Sequence, residues 1–112
     1  MARSSITSID EFNRIIQEKP AVLFYFSTTS CSVGESILPK IKFLYNKSFP
    51  KIDFCEIDMN DAMELSAFCQ VFVEPTILIY FDCKETLRRS RNLSLIELEE
   101  ATTRLYKLFF TD

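Results

Sequence analysis

Phe24-Tyr25-Phe26-Ser27-Thr28-Thr29-Ser30-Cys31-Ser32-Val33-Gly34-Glu35-Ser36-Ile37-Leu38-Pro39 is the stretch on which the fold turns. Its apolar, aromatic start, continuous with Ala21-Val22-Leu23, reads as a buried strand. A small polar turn follows, and Cys31 sits where a helix then begins. Helix N-termini carry unpaired N–H groups and a partial positive charge, which favour an anion. A cysteine at that point is expected to ionise more readily than a free one. Pro39 is expected to kink this helix without ending it.

Upstream, Ser8-Ile9-Asp10-Glu11 has the capping-box pattern, and Ile9, Phe12, Ile15 and Ile16 recur at helical spacing. That helix should end near Glu18-Lys19-Pro20, ahead of a strand over 21–27. Downstream, the second helix is expected from about Gly34 to Phe49, with Ile37, Leu38, Ile41, Leu44 and Tyr45 on its apolar face. Residues 52–57 read as a strand, with Ile52, Phe54 and Glu56 on one face and Asp53, Cys55 and Ile57 on the other. Asn60-Asp61 can cap a short helix through Ala62, Leu65 and Phe68. Thr76 to Phe81 and Glu85 to Ser90 read as a hairpin joined by Asp82-Cys83-Lys84. Ser94-Leu95-Ile96-Glu97 is a second capping box, opening a final helix with Leu98, Ala101, Leu105 and Leu108 inward. This order of elements predicts an α/β domain, a mixed sheet with helices on both faces.

The 112 residues suit one domain, 1–112, able to bury a core. Apolar content of 47% with 26% charged residues is that of a globular chain. A net charge of −3 gives no electrostatic case for nucleic acid. No apolar run approaches a membrane span, and no secretory signal is visible, so a cytoplasmic setting with free thiols is expected. With no histidine and no Cys-x-x-Cys pair among cysteines 31, 55, 69 and 83, a metal site is not expected. The single glycine leaves turns needing positive φ to Asn or Asp.

Three landmarks in order resemble the thioredoxin family: the strand-turn-helix around Cys31-Ser32-Val33-Gly34, the strand end Ile57-Asp58-Met59-Asn60, and Val73-Glu74-Pro75-Thr76-Ile77. The resemblance covers about Ile9 to Phe110 and implies that family's three-layer fold. It also implies a cis proline, Pro75, facing the active cysteine. In the family the motif is Cys-x-x-Cys; here the first cysteine is kept and the second is Gly34. Dithiol exchange needs a second thiol to resolve the mixed disulfide. By the family's fold, Cys55, Cys69 and Cys83 are not expected within bridging reach of Cys31. The positions of the family's buried aspartate and its lysine helper hold Tyr25 and Phe54, and those of its two tryptophans hold Ser27 and Ser30.

What the resemblance leaves is a monothiol site: Cys31 as the catalytic residue, with Ser30, Ser32, Val33, Gly34, Glu74 and Pro75 binding an extended peptide or glutathione. Glu74 departs from the family, whose residue before the proline is apolar or a small hydroxyl. A carboxylate close to Cys31 would raise the thiol pKa and repel anionic thiols, opposing the helix terminus; Glu35 adds charge nearby. Two functions stay open on these residues. One is thiol–disulfide exchange through mixed disulfides, with a client protein or glutathione as co-substrate and no resident cofactor. The other is a redox-inactive peptide-binding module in which Cys31 is merely present. Either would be a monomer or a weak dimer. Phe72 either packs or projects beside Pro75. The Arg88-Arg89-Ser90-Arg91 run is expected to protect an edge strand, and Glu97, Glu99 and Glu100 to form a solvated helix face.

Overall fold

In a computed structural model of the chain, residues 6–28 and 32–110 are described, the side chains of 32–36 excepted. Among these residues four helices and four strands follow in the order α1 (Ile9–Glu18), β1 (Ala21–Ser27), α2 (Ser32–Ser48), β2 (Asp53–Asp58), α3 (Met63–Phe68), β3 (Thr76–Phe81), β4 (Lys84–Ser90) and α4 (Leu95–Phe109). The sheet order is β2-β1-β3-β4. β1 runs parallel to β2 and antiparallel to β3, which pairs antiparallel with β4. Both serine N-caps form: Ser8 accepts from the Glu11 N–H, and Ser94 from the Glu97 N–H. α2 begins at Ser32, earlier than expected, and passes through Pro39 to Ser48.

β1 is apolar on both faces because both are covered. Ala21, Leu23 and Tyr25 pack with Ile41 and Tyr45 of α2 and Leu98 and Ala101 of α4. Val22, Phe24 and Phe26 pack with Phe12 and Ile15 of α1 and Leu65 of α3. Each such side chain contributes about 1.5–3 kcal/mol by leaving water. Ile52 and Phe54 join the first cluster, and Cys55 and Ile57 the second, as the alternation predicts. Leu108 is the exception to the inward set of α4, being 71% exposed. Glu97 is also not simply solvated, because its carboxylate takes three hydrogen bonds from Arg89 at 2.9–3.1 Å. That guanidinium lowers its pKa.

Two turns depart from expectation. α3 is not capped by Asn60 or Asp61: its N-cap is Ala62, with no side-chain bond. Asp58 instead holds that turn, its carboxylate accepting from the Asn60 N–H and its carbonyl from the N–H groups of Asp61 and Ala62. Positive φ falls on Gln70, Asp82, Cys83 and Arg91, so Asp takes one of these positions and Asn none. Gln70 closes α3 in a Schellman arrangement, with Val71 N–H bonding the Ser66 carbonyl and Gln70 N–H that of Ala67. Asp82-Cys83, both left-handed, form the two-residue hairpin loop whose backbone requires that conformation at each position. Cys83→Gly is therefore expected to stabilise the fold by about 1 kcal/mol, and to raise Tm by about 4 °C. Thermal unfolding followed by circular dichroism measures it, and an unchanged or lower Tm would show that the Cys83 thiol bond to the Ile16 carbonyl matters more than the relieved backbone.

Candidate functional site

The strand register carries four chain segments to one end of the sheet. Ser27 lies opposite Asp58, Phe26 opposite Thr76, and Thr76 opposite Ser90. Backbone bonds tie them: Met59 N–H to the Ser27 carbonyl at 2.8 Å, and Arg91 N–H to the Pro75 carbonyl at 2.8 Å. Thr76, fully buried, donates its hydroxyl to the Val73 carbonyl at 2.7 Å and meets the Ser90 hydroxyl at 3.1 Å. The loop 71–75 is thus held from both sides. The Glu74–Pro75 peptide bond is cis, and Pro75 is buried.

Glu74 reaches across to the segment that leads into residues 29–31. One carboxylate oxygen accepts from the Thr28 N–H at 2.7 Å and from the Thr28 hydroxyl at 2.8 Å, and the other oxygen lies 3.1 Å from that hydroxyl. Both residues are partly buried. A charged acceptor makes such bonds shorter and stronger than neutral ones. Thr28 is the site residue that reasoning from sequence missed. A hydroxyl residue immediately beyond a strand end is the available signal, but its partner lies 46 positions away.

Among the expected site residues, the structure brings Glu74 and Pro75 together at this end of the sheet. The backbone of Ser32, Val33 and Gly34 forms the first turn of α2, which follows from the same end of β1. Ser30 and Cys31 lie outside the described residues. Phe72 projects, at 74% exposure, two residues before Glu74. Two cavities lie elsewhere. One, of about 560 Å³, runs between α2 and α4 beside Pro39, Phe43, Leu44 and Ile96. Another, of about 240 Å³, lies under α2 at the β2 edge. Neither is lined by the residues tied together here.

The other cysteines are distributed away from this end. Cys55 pairs with Phe24 in mid-strand and is fully buried against the α1/α3 layer. Cys83 sits beyond Phe81, which pairs with Ala21 at the opposite end of β1, about 20 Å along the strand from Ser27. Cys69 ends α3, where Arg88 donates to its carbonyl at 2.8 Å and to that of Gln70 at 3.2 Å while also binding Glu85. Burial pushes the Cys69 thiol up to about 11, against the pull of the Arg88 guanidinium, so it is protonated at neutral pH and a poor nucleophile. Arg88 thus caps a helix terminus in addition to charging the edge strand β4. Tyr25 and Phe54 are core, their rings stacked with centroids 6.5 Å apart.

Comparison with known proteins agrees with this arrangement. The thioredoxin family model matches residues 4–102. The thioredoxin-like protein YdfQ of Bacillus subtilis is 30% identical over 105 residues, covering 94% of this chain and 90% of its own length. The structure of Fasciola hepatica thioredoxin is 27% identical, with a TM-score of 0.78 over 91% of this chain and 97% of that one. Mitochondrial thioredoxin 3 from Saccharomyces cerevisiae shares the fold at a TM-score of 0.82 and 19% identity, over 90% of this chain and 93% of that one. The chain belongs to the thioredoxin family.

Proposed function

We propose that the protein acts in thiol–disulfide exchange as a monothiol, through mixed disulfides on Cys31, and does not act as a dithiol reductase. The observation that carries this reading is Gly34 in the first turn of α2, where the family motif has its resolving cysteine, together with the dispersal of Cys55, Cys69 and Cys83. In the exchange the Cys31 thiolate attacks one sulfur of a disulfide, forming a new S–S bond and expelling the other sulfur as a thiolate. A thiol from a second molecule, glutathione or a client, then attacks that mixed disulfide and returns Cys31 as thiolate. The electrons come from that second thiol, so no resident cofactor is required. The loop carrying Glu74 and Pro75 and the backbone of Ser32, Val33 and Gly34 would together hold the extended segment.

The test is incubation with oxidised glutathione across pH 6 to 9, followed by peptide mass spectrometry of the four cysteines. A glutathionyl group on Cys31, absent in Cys31→Ser and released by excess thiol, is expected. Modification confined to Cys83, or to none, sinks the exchange reading. The exposed Phe72, two residues before Glu74, favours a second reading, a redox-inactive peptide-binding module. Peptide binding that survives Cys31→Ser without any mixed disulfide in the wild type would establish it.

A further inference from the structure

We propose that the Glu74 carboxylate sets the charge preference of this cleft, selecting client segments that carry a lysine or arginine beside the residue that meets Cys31. The inference rests on the exchange reading of Cys31 proposed above, with Glu74 beside the path of the client.

Three observations carry it. First, the carboxylate is fixed: the N–H and hydroxyl of Thr28, three residues before Cys31 in the chain, hold it at 2.7 and 2.8 Å. Second, among the described residues no cation pairs with it. The ion pairs among the described residues engage Asp53, Glu56, Glu85 and Glu97, and Glu74 is in none of them. Residues 29–36 contain no lysine or arginine, and Glu35 is among them. Third, the same end of the sheet carries Asp58 and Asp61 at the close of β2. Arg91 also lies there, anchored by its N–H to the Pro75 carbonyl; its side chain is exposed and makes no ion pair with Glu74. A partly buried carboxylate is less screened than one in open water, so a client cation gains there and a client anion loses.

The test uses two octapeptides that differ in the residues flanking one cysteine, lysines in one and glutamates in the other. Both are supplied with that cysteine bound as a disulfide to thionitrobenzoate, and also with it replaced by serine and a fluorescein label. The Cys31 thiolate displaces the yellow thionitrobenzoate anion and becomes disulfide-linked to the peptide, so absorbance reads the exchange rate. Anisotropy of the serine peptides on Cys31→Ser reads binding alone. At low salt the lysine peptide is expected to bind about fivefold tighter than the glutamate peptide. High salt should erase the difference. Glu74→Gln, which keeps an acceptor for Thr28, should bring the ratio close to one, and Glu74→Lys should invert it. Equal binding of the two peptides overturns the charge preference, as does a ratio unmoved by Glu74→Gln. If wild type releases no thionitrobenzoate from either peptide, the exchange reading falls while anisotropy still decides the preference. Binding of neither peptide overturns both the preference and the cleft.

Discussion

Phe24→Ala is expected to destabilise the fold by about 3–5 kcal/mol, a fifth or more of the roughly 5–15 kcal/mol that holds a domain of this size together. The residue sits in the centre of β1 with no exposed surface. Its ring lies 4.5 Å from that of Phe12 on α1 and 5.7 Å, edge-on, from that of Tyr80 on β3. Phe12 in turn meets Tyr80 edge-on at 5.5 Å, so the three rings form one closed set. Removing one leaves two others facing a void that backbone paired on both sides cannot collapse into, because β1 is bonded to β2 and β3 along its length. Phe43→Ala is the internal contrast: the same side chain, 68% exposed on α2, should change stability by no more than about 0.5 kcal/mol. Urea unfolding of the two variants measures both. A loss below about 2 kcal/mol for Phe24→Ala would mean that the α1/α3 layer is more plastic than its packing indicates.

The same strand explains what could be read from sequence. Six apolar residues in a row give no alternation, and only composition and length separate a strand from a buried helix there. The reading succeeds because aromatic and branched residues dominate, and because the polar run after Phe26 breaks it where the sheet ends. The caps at Ser8 and Ser94 are legible because donor and acceptor lie three positions apart. α3 is the counterexample. Its start is set by Asp58, upstream of the residues that look like caps, and its end by Gln70 in a conformation that its side chain does not advertise. Leu108 falls at the right spacing, yet the end of α4 meets Phe81 of β3 through Phe109 and Phe110, which leaves Leu108 outward.

The candidate site divides along the same line. Cys31-Ser32-Val33-Gly34 and Glu74-Pro75 are local patterns and can be picked out by inspection. The bond between Thr28 and Glu74 cannot, because it exists only once the register of β1 on β3 brings two loops to one edge. From sequence, Glu74 reads as a charge opposing Cys31. The structure adds that this charge has a structural task, fastening the segment before the cysteine to the proline loop. A residue with both roles explains how a carboxylate is tolerated where the family uses an apolar or small side chain: the donors of Thr28 meet the desolvation that burial would otherwise leave uncompensated.

Stability should fall steeply in alkali, and Tyr45 supplies a separable part of that fall. Its phenol is buried between α2 and α4, 2.7 Å from the hydroxyl of Thr102, which is itself fully buried. Burial disfavours the phenolate and pushes the pKa from 10.0 up to about 12, with the Thr102 bond acting in the opposite direction. A pKa raised on folding means that the unfolded chain loses this proton first. The contribution is complete below pH 10 and is lost as pH rises through about 12. A shift of that size corresponds to about 3 kcal/mol between the two limits. Tyr45→Phe should remove the pH-dependent part while leaving Thr102 without its partner, so the variant starts about 1 kcal/mol less stable at neutral pH. The two unfolding free energies should therefore converge above pH 10 and cross before pH 12. Urea titrations at intervals from pH 8 to 12, in the presence of reductant so that the thiols stay free, measure both curves. Cys69 adds to the alkaline loss in both proteins at slightly lower pH, because its thiol is also raised by burial, and it cancels in the difference. Parallel curves would mean that the Tyr45 phenolate is accommodated between the helices, and that the contact with Thr102 does not depend on a neutral ring.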